Sequence, residues 1–300
     1  MSEQQQEVTP DIRDTATRFL KALQPYAPAV LGGLEVIAKA TQAFSDFFAR
    51  EIAPHLVTLA RIDWAEVTRR LNELPEKSKA AMVLASSKGW FFGWDQSLED
   101  VLLLVEKMAQ IDPSEVDDLL SQYYRDNLQS LAHSLASQYP DRAAAINAAV
   151  RAHVELGSDG YYLSVPVFIA QADGLLTDIT GVKSALMHSR KSTYSRDELQ
   201  ASEALRVRLQ ADQESLALVT QFLNLHEHDF MKSAAVRVKA TQVTRTAFTA
   251  LNRHQVMHGE SSDYGTELNS LKAFSLLAAV GLHLPLVLDR ADKPVKFGLR

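Results

Sequence analysis

The chain has no cysteine among its 300 residues. That excludes disulfides and thiolate metal sites, so any metal would have to be held by histidines and carboxylates. No stretch approaches the roughly 18 uninterrupted apolar residues that a membrane span requires. The opening Met1-Ser2-Glu3-Gln4-Gln5-Gln6-Glu7 is polar and acidic, unlike a signal peptide, and a cytoplasmic protein with no membrane partner is expected. A glycine-rich phosphate loop of the G-x-x-x-x-G-K type and a G-x-S-x-G elbow are both lacking. Alternating strand patterns are lacking too, so an all-α fold is expected. The net charge of -6 speaks against indiscriminate nucleic-acid binding, although it averages over a surface on which patches can differ.

What is there is the balance of a globular protein, 46% apolar and 23% charged, of a length that suits one large domain or two smaller ones. Residues 1–10 read as a disordered tail. From Asp11, Ile12, Ala16, Phe19, Leu20 and Leu23 recur at helical spacing, and Gly32-Gly33 breaks the pattern. A second helical segment runs from Leu34 to Leu56. Asp63-Trp64 reads as the cap and first turn of a short helix ending near Leu74, with Pro75 opening another. Trp90-Phe91-Phe92-Gly93-Trp94 sets four aromatics beside glycines and reads as a buried loop plug rather than a base-stacking platform.

Ser97, Asp141 and Thr266 stand where helix caps are expected, and Asp112-Pro113-Ser114-Glu115 starts a helix that runs towards Tyr139-Pro140. Tyr161 to Thr180 is strongly apolar, and Pro166 should sit in its first turns or kink it. Gln171 and Asp173 interrupt that segment and each should have a partner, since an unpaired buried carboxylate is costly. Lys191–Arg196 is the expected mobile loop, and helix resumes from Leu209 to Leu225. His226-Glu227-His228-Asp229 has the composition of a chelator, yet side chains two apart on a helix face different ways. Pro285 and the polar residues after it close the last helix.

The densest chemistry lies in Asn252-Arg253-His254-Gln255-Val256-Met257-His258-Gly259. It ends a span from Phe230 that carries Lys232, Arg237, Lys239, Arg245 and Arg253 and no acidic residue, the footprint expected where a phosphate approaches. On a helix, His254 and His258 share a face, while Arg253 and His258 lie roughly 140° apart. Two readings are open at this point. The histidines could ligate a metal, for which a third ligand at fixed spacing is missing. Alternatively, Arg253 and His258 could bracket a phosphate, with histidine exchanging protons near neutral pH and arginine stabilising a pentavalent transition state.

Arg253-His254-Gln255-Val256-Met257-His258 resembles the R-x4-6-H signature of the HEPN superfamily, in the variant with a polar residue directly after the arginine. The blocks Tyr161–Pro166, Ala170-Gln171-Ala172-Asp173-Gly174 and Asp263-Tyr264-Gly265-Thr266-Glu267 are similar to those of bacterial HEPN-like proteins in the same order, over roughly residues 140–283. The resemblance implies a bundle of four or five helices that forms a homodimer with a composite active site. It implies a metal-independent endoribonuclease that needs no cofactor and serves as a toxin or anti-phage defence effector, with RNA as substrate and an antitoxin or regulatory protein as a further partner. His258 would move the proton of the ribose 2′-hydroxyl or the leaving 5′-oxygen, and Arg253 would bind the scissile phosphate. Asn252, His254, Asp173, Gln171 and Tyr264 would support them. The toxin branch with a tyrosine two residues after the histidine is not matched, since Glu260 stands there.

The expected organisation is a tail at 1–10, a helical region at 11–135, a HEPN-like domain at 136–285 and a tail at 286–300. The alternative to an enzyme is a non-catalytic HEPN-like module that binds RNA or a nucleotide, or that only dimerises. A further alternative places the function in the N-terminal half.

Overall fold

The computed structural model describes residues 63–94, 97–182, 201–210 and 212–292. The expectations for the 1–10 tail, the helices between Asp11 and Leu56, the Lys191–Arg196 loop and residues 293–300 lie outside the described residues. The chain divides into two compact units, Met1–Arg69 and Arg70–Arg300. Of the first, only Asp63–Arg69 are described: the Asp63 carboxylate accepts the Glu66 N–H at 3.0 Å, as a cap should, and Glu66 pairs with Arg69.

The fold is all-α, with no strand among the described residues. Helix α1 (Trp64–Ser87) runs through Pro75 instead of restarting there. Buried Leu74, Ser78, Ala81, Met82 and Ala85 hold it on both sides of the proline, so tertiary burial offsets the one lost backbone hydrogen bond. Next come α2 (Leu98–Gln110), capped by Ser97 as expected, and α3 (Val116–Gln138). Helix α4 (Pro140–Glu155) starts with Pro140 in its first turn and Tyr139 as the cap. Asp141, expected to be the cap, is therefore the second residue of the first turn, where its charge suits the helix dipole.

Helix α5 (Gly157–Thr180) follows α4 after the single residue Leu156. Later in the chain, α11 (Glu267–Ala278) is capped by Thr266, whose Oγ1 accepts the Asn269 N–H at 3.1 Å. Helices α3, α4, α5 and α11 pack pairwise in a closed ring, a four-helix bundle around Leu128, Leu131, Phe168, Leu175 and Phe274. The continuous helical run Glu267–Asp292 is long and apolar enough to cross a membrane by composition alone, but most of its apolar window is buried inside the protein.

The aromatic loop is buried as expected: Trp90, Phe91 and Phe92 are at most 1% exposed. Extended backbone in a core needs hydrogen-bond partners, and here side chains supply them. Ser275 Oγ accepts the Phe91 N–H at 3.1 Å, Tyr124 Oη donates to the Phe91 carbonyl, and the Gln221 amide bonds both the N–H and the carbonyl of Phe92. His283 Nδ1 accepts the Trp94 N–H at 3.0 Å. Gly93 is required by space, since a Cβ there would lie 2.2 Å from His283 Cβ.

The last helix does not end at Pro285. A π-helical turn, Ala279–His283, leads into α12 (Leu284–Asp292). Proline has no N–H for the carbonyl four residues back. For Pro285 that carbonyl belongs to Gly281, and the Tyr139 hydroxyl donates to it at 2.8 Å. Pro166, ten residues into α5 rather than in its first turns, leaves the Tyr162 carbonyl open in the same way, and the Tyr264 hydroxyl reaches it at 3.4 Å.

Between α5 and α11 the helices are short. They are α6 (Ala201–Leu209), α7 (Gln213–Leu218), α8 (Thr220–Leu223), two 3-10 turns at Leu225–Glu227 and Asp229–Met231, α9 (Ala234–Thr244) and α10 (Arg253–Met257). One helix was expected from Leu209 to Leu225. Helix is instead already present from Ala201, the first described residue there, and breaks around Asp212, whose carboxylate caps α7 by accepting the Ser215 N–H.

Candidate functional site

Helix α10 is the R-x4-H segment, and it is only five residues long. The span from Phe230 that leads into it does not form one helix. Helix α9 stops at Arg245, a non-glycine residue with φ 57°, and the chain is irregular until Asn252. Asn252 is extended and caps α10: its Oδ1 accepts the Gln255 N–H at 3.2 Å. The far end closes as the glycine predicts. Gly259 adopts φ 68°, its N–H bonds the Val256 carbonyl, and the Glu260 N–H bonds the Gln255 carbonyl at 2.8 Å. This is the Schellman closure, and a Cβ at Gly259 would meet nothing, so the backbone angle alone demands glycine.

The expected site residues fall into three groups. Arg253 and Asp173 come together: Arg253 Nη2 donates to Asp173 Oδ2 at 2.9 Å, with side chains 13% and 22% exposed. The interrupting carboxylate of α5 thus finds the motif arginine as its partner. The Arg253 Nε is buried and has no hydrogen-bond acceptor. His254 and His258 stack with ring centroids 6.0 Å apart and planes 11° apart, while His258 itself is exposed at the end of α10. The in-plane lone pairs of parallel rings run side by side instead of meeting at one point about 2 Å from each, which disfavours a metal shared between them. No group of three histidines or carboxylates is placed to hold a metal among the described residues, His226-Glu227-His228-Asp229 included.

The remaining three expected residues point elsewhere. Asn252 is 1% exposed and saturated, since its Nδ2 also donates to the carbonyls of Asp229 and Lys232, so it builds the helix and faces no ligand. Gln171, two residues from Asp173, lies on another face of α5 and accepts from Arg142 Nη1 at 3.0 Å; Arg142 also pairs with Asp178. Tyr264 packs edge-on against the Tyr162 ring with centroids 5.1 Å apart, near the start of α5. Asp173 is eleven residues further along, about 16 Å at helical rise. Tyr264 therefore anchors the loop after α10 and is remote from the Arg253–Asp173 pair.

The basic span is less open to phosphate than its sequence suggests. Lys232 pairs with Asp229, Arg237 with Glu260 and Arg253 with Asp173. Each carboxylate lies outside the acid-free span or at its edge, so counting charges along the sequence could not reveal the neutralisation. Lys239 and Arg245 remain on the exposed surface. Sequence reasoning missed Arg237 and Glu260 as a structural pair. The available signal was that Glu260 is the first acid after a span containing five cations.

A cavity of about 340 Å³ borders α10 at Gln255 and Val256. Phe248–Asn252, Glu260–Tyr264 and Asn269 complete its wall; Arg253 and the two histidines are not part of it. No protein-family model, no curated protein and no solved structure matches the chain.

Proposed function

We propose that the chain is a HEPN-type, metal-independent endoribonuclease in which Arg253 and His258 form half of an active site completed by a second copy. His258 takes the proton of the ribose 2′-hydroxyl, or gives one to the leaving 5′-oxygen. The 2′-oxygen attacks the phosphorus, the bond to the 5′-oxygen breaks, and a 2′,3′-cyclic phosphate and a 5′-hydroxyl result. Arg253 balances the extra negative charge of the pentavalent transition state.

The observation that carries this reading is the guanidinium of Arg253, held at one nitrogen by Asp173 while its Nε has no acceptor. A buried donor without a partner costs about 1–3 kcal/mol, which an incoming phosphate oxygen would recover. The exposed imidazole of His258 on the same short helix supplies the proton-transfer group. A role as a toxin or anti-phage defence effector, held in check by an antitoxin or regulatory protein, is part of the same proposal.

The second reading is a non-catalytic module that binds RNA or a nucleotide. It is favoured by the low exposure of Arg253 and by its neutralisation through Asp173. Incubation with mixed cellular RNA in EDTA separates the two. Cleavage that His258→Ala abolishes supports the enzyme, binding without cleavage supports the module, and cleavage that persists in the variant overturns the assignment of His258. Sedimentation at several concentrations tests the second copy, and a monomer that cleaves RNA removes it.

A further inference from the structure

We propose that Arg237 and Glu260 are positioning residues that clamp both ends of α10, the helix that carries Arg253 and is closed by His258, into one unit. Five residues cannot stabilise a helix by themselves, because nucleation costs more than so few hydrogen bonds return. The clamp is the Arg237 guanidinium. Its Nη1 donates to Asn252 Oδ1 at 2.9 Å, which is the cap immediately before Arg253, and to the Lys232 carbonyl at 2.8 Å. Its Nη2 donates to the carboxylate of Glu260, two residues beyond His258. One side chain therefore reaches the entry and the exit of α10, and bonds Asn252 through the same oxygen that caps the helix.

The setting of Arg237 supports this. Helix α9 exposes Val236, Val238 and Val243 at 47%, 56% and 75%, and its one buried side chain is the arginine, 6% exposed. A surface helix normally buries an apolar stripe, whereas this one inserts a charge. A charge so placed is tolerated only when it is fully paired, and here a carboxylate, an amide and a carbonyl receive it. Arg253 and His258 must keep a fixed separation to act on one phosphate, and the clamp sets the backbone from which both project. The catalytic part of this inference rests on the ribonuclease reading; the structural part does not.

The test compares Glu260→Ala, Glu260→Gln and Arg237→Lys in the full chain. Glu260 is 44% exposed at its side chain, and Glu260→Gln keeps an acceptor for the buried Arg237, so that variant disturbs folding least. The amides of Val256, His258 and Glu260 report on α10, since they donate to the carbonyls of Asn252, His254 and Gln255. In Glu260→Ala and Arg237→Lys they should exchange with solvent about tenfold faster while amides within α5 keep their rates. Glu260→Gln retains an acceptor and should fall between wild type and Glu260→Ala. With single-stranded RNA, kcat per folded molecule should drop about tenfold with KM within about twofold, and Glu260→Gln should recover part of it.

Unchanged exchange in α10 overturns the clamp. So does acceleration shared equally by α5, which marks a merely structural role, or loosening of α10 that leaves kcat untouched. If the wild-type chain cleaves no RNA, the ribonuclease reading falls separately, and the exchange rates alone decide whether Arg237 and Glu260 hold the helix.

Discussion

Arg253 donates through Nη2 to the Asp173 carboxylate at 2.9 Å, so the motif arginine of α10 is fastened to the C-terminal third of the bundle helix α5. The contact joins residues 80 positions apart. It makes the orientation of the guanidinium a property of the bundle and not of the short helix that carries it.

Asp173→Ala should destabilise the protein by about 2 kcal/mol, because it leaves a largely buried guanidinium without its counter-charge. Urea unfolding measures this. Asp173→Asn keeps an acceptor and should cost less, and equal losses in the two variants would argue that the pair contributes through packing alone.

Gly93→Ala forces a methyl to within 2.2 Å of His283 Cβ, directly after the fully buried Phe91 and Phe92. The expected loss is about 3 kcal/mol, with the melting temperature lowered accordingly. A variant melting with wild type would show that the loop and α12 can part without cost.

Stability should fall in acid through His283. Burial pushes its imidazole from the ordinary 6.5 down to about 4, with Nδ1 accepting the Trp94 N–H and Nε2 2.8 Å from the Leu218 carbonyl. Between these values the unfolded chain takes up the proton that the folded chain refuses. Stability is therefore full above about 6.5 and declines as pH drops towards 4, by about 3 kcal/mol in all. Burial lowers His153 and His228 as well, and they act in the same direction. Urea unfolding at about pH 4.5 and about pH 7 should show a smaller difference for His283→Asn than for wild type. Identical differences would remove His283 from the account.

Tyr139→Phe removes the hydroxyl that serves the Gly281 carbonyl left open by Pro285. The cost should be about 1–2 kcal/mol in thermal or urea unfolding. Pro285→Ala restores a backbone donor to that carbonyl, so Tyr139→Phe should cost less in its background. Strict additivity across the double-mutant cycle would mean that the two groups do not share the carbonyl.

Much of the helical architecture was legible in the sequence, because it depends on interactions between near neighbours. Caps at Asp63, Ser97 and Thr266, the glycine closure after His258 and the apolar faces of α3, α5 and α11 all follow from spacing within a few residues. The aromatic run at 90–94 was legible as a plug for the same reason: that much apolar surface has to be buried somewhere. Two prolines misled, since Pro75 and Pro285 lie inside helices rather than bounding them, and Pro166 stands ten residues into α5. Locally a proline costs a hydrogen bond, and only distant groups decide whether that cost is met. The hydroxyls of Tyr264 and Tyr139 serve two of the open carbonyls from about 100 and 142 residues away.

The motif at 252–259 divides in the same way. Its residue types and spacing marked it as the densest chemistry in the chain, and Asp173 was expected to need a partner. Tertiary structure decided that the partner is Arg253, that Gln171 and Tyr264 serve other contacts, and that Lys232 and Arg237 are neutralised within the acid-free span. Charge along a sequence is local, whereas the field at a site is set by groups that folding brings in from elsewhere.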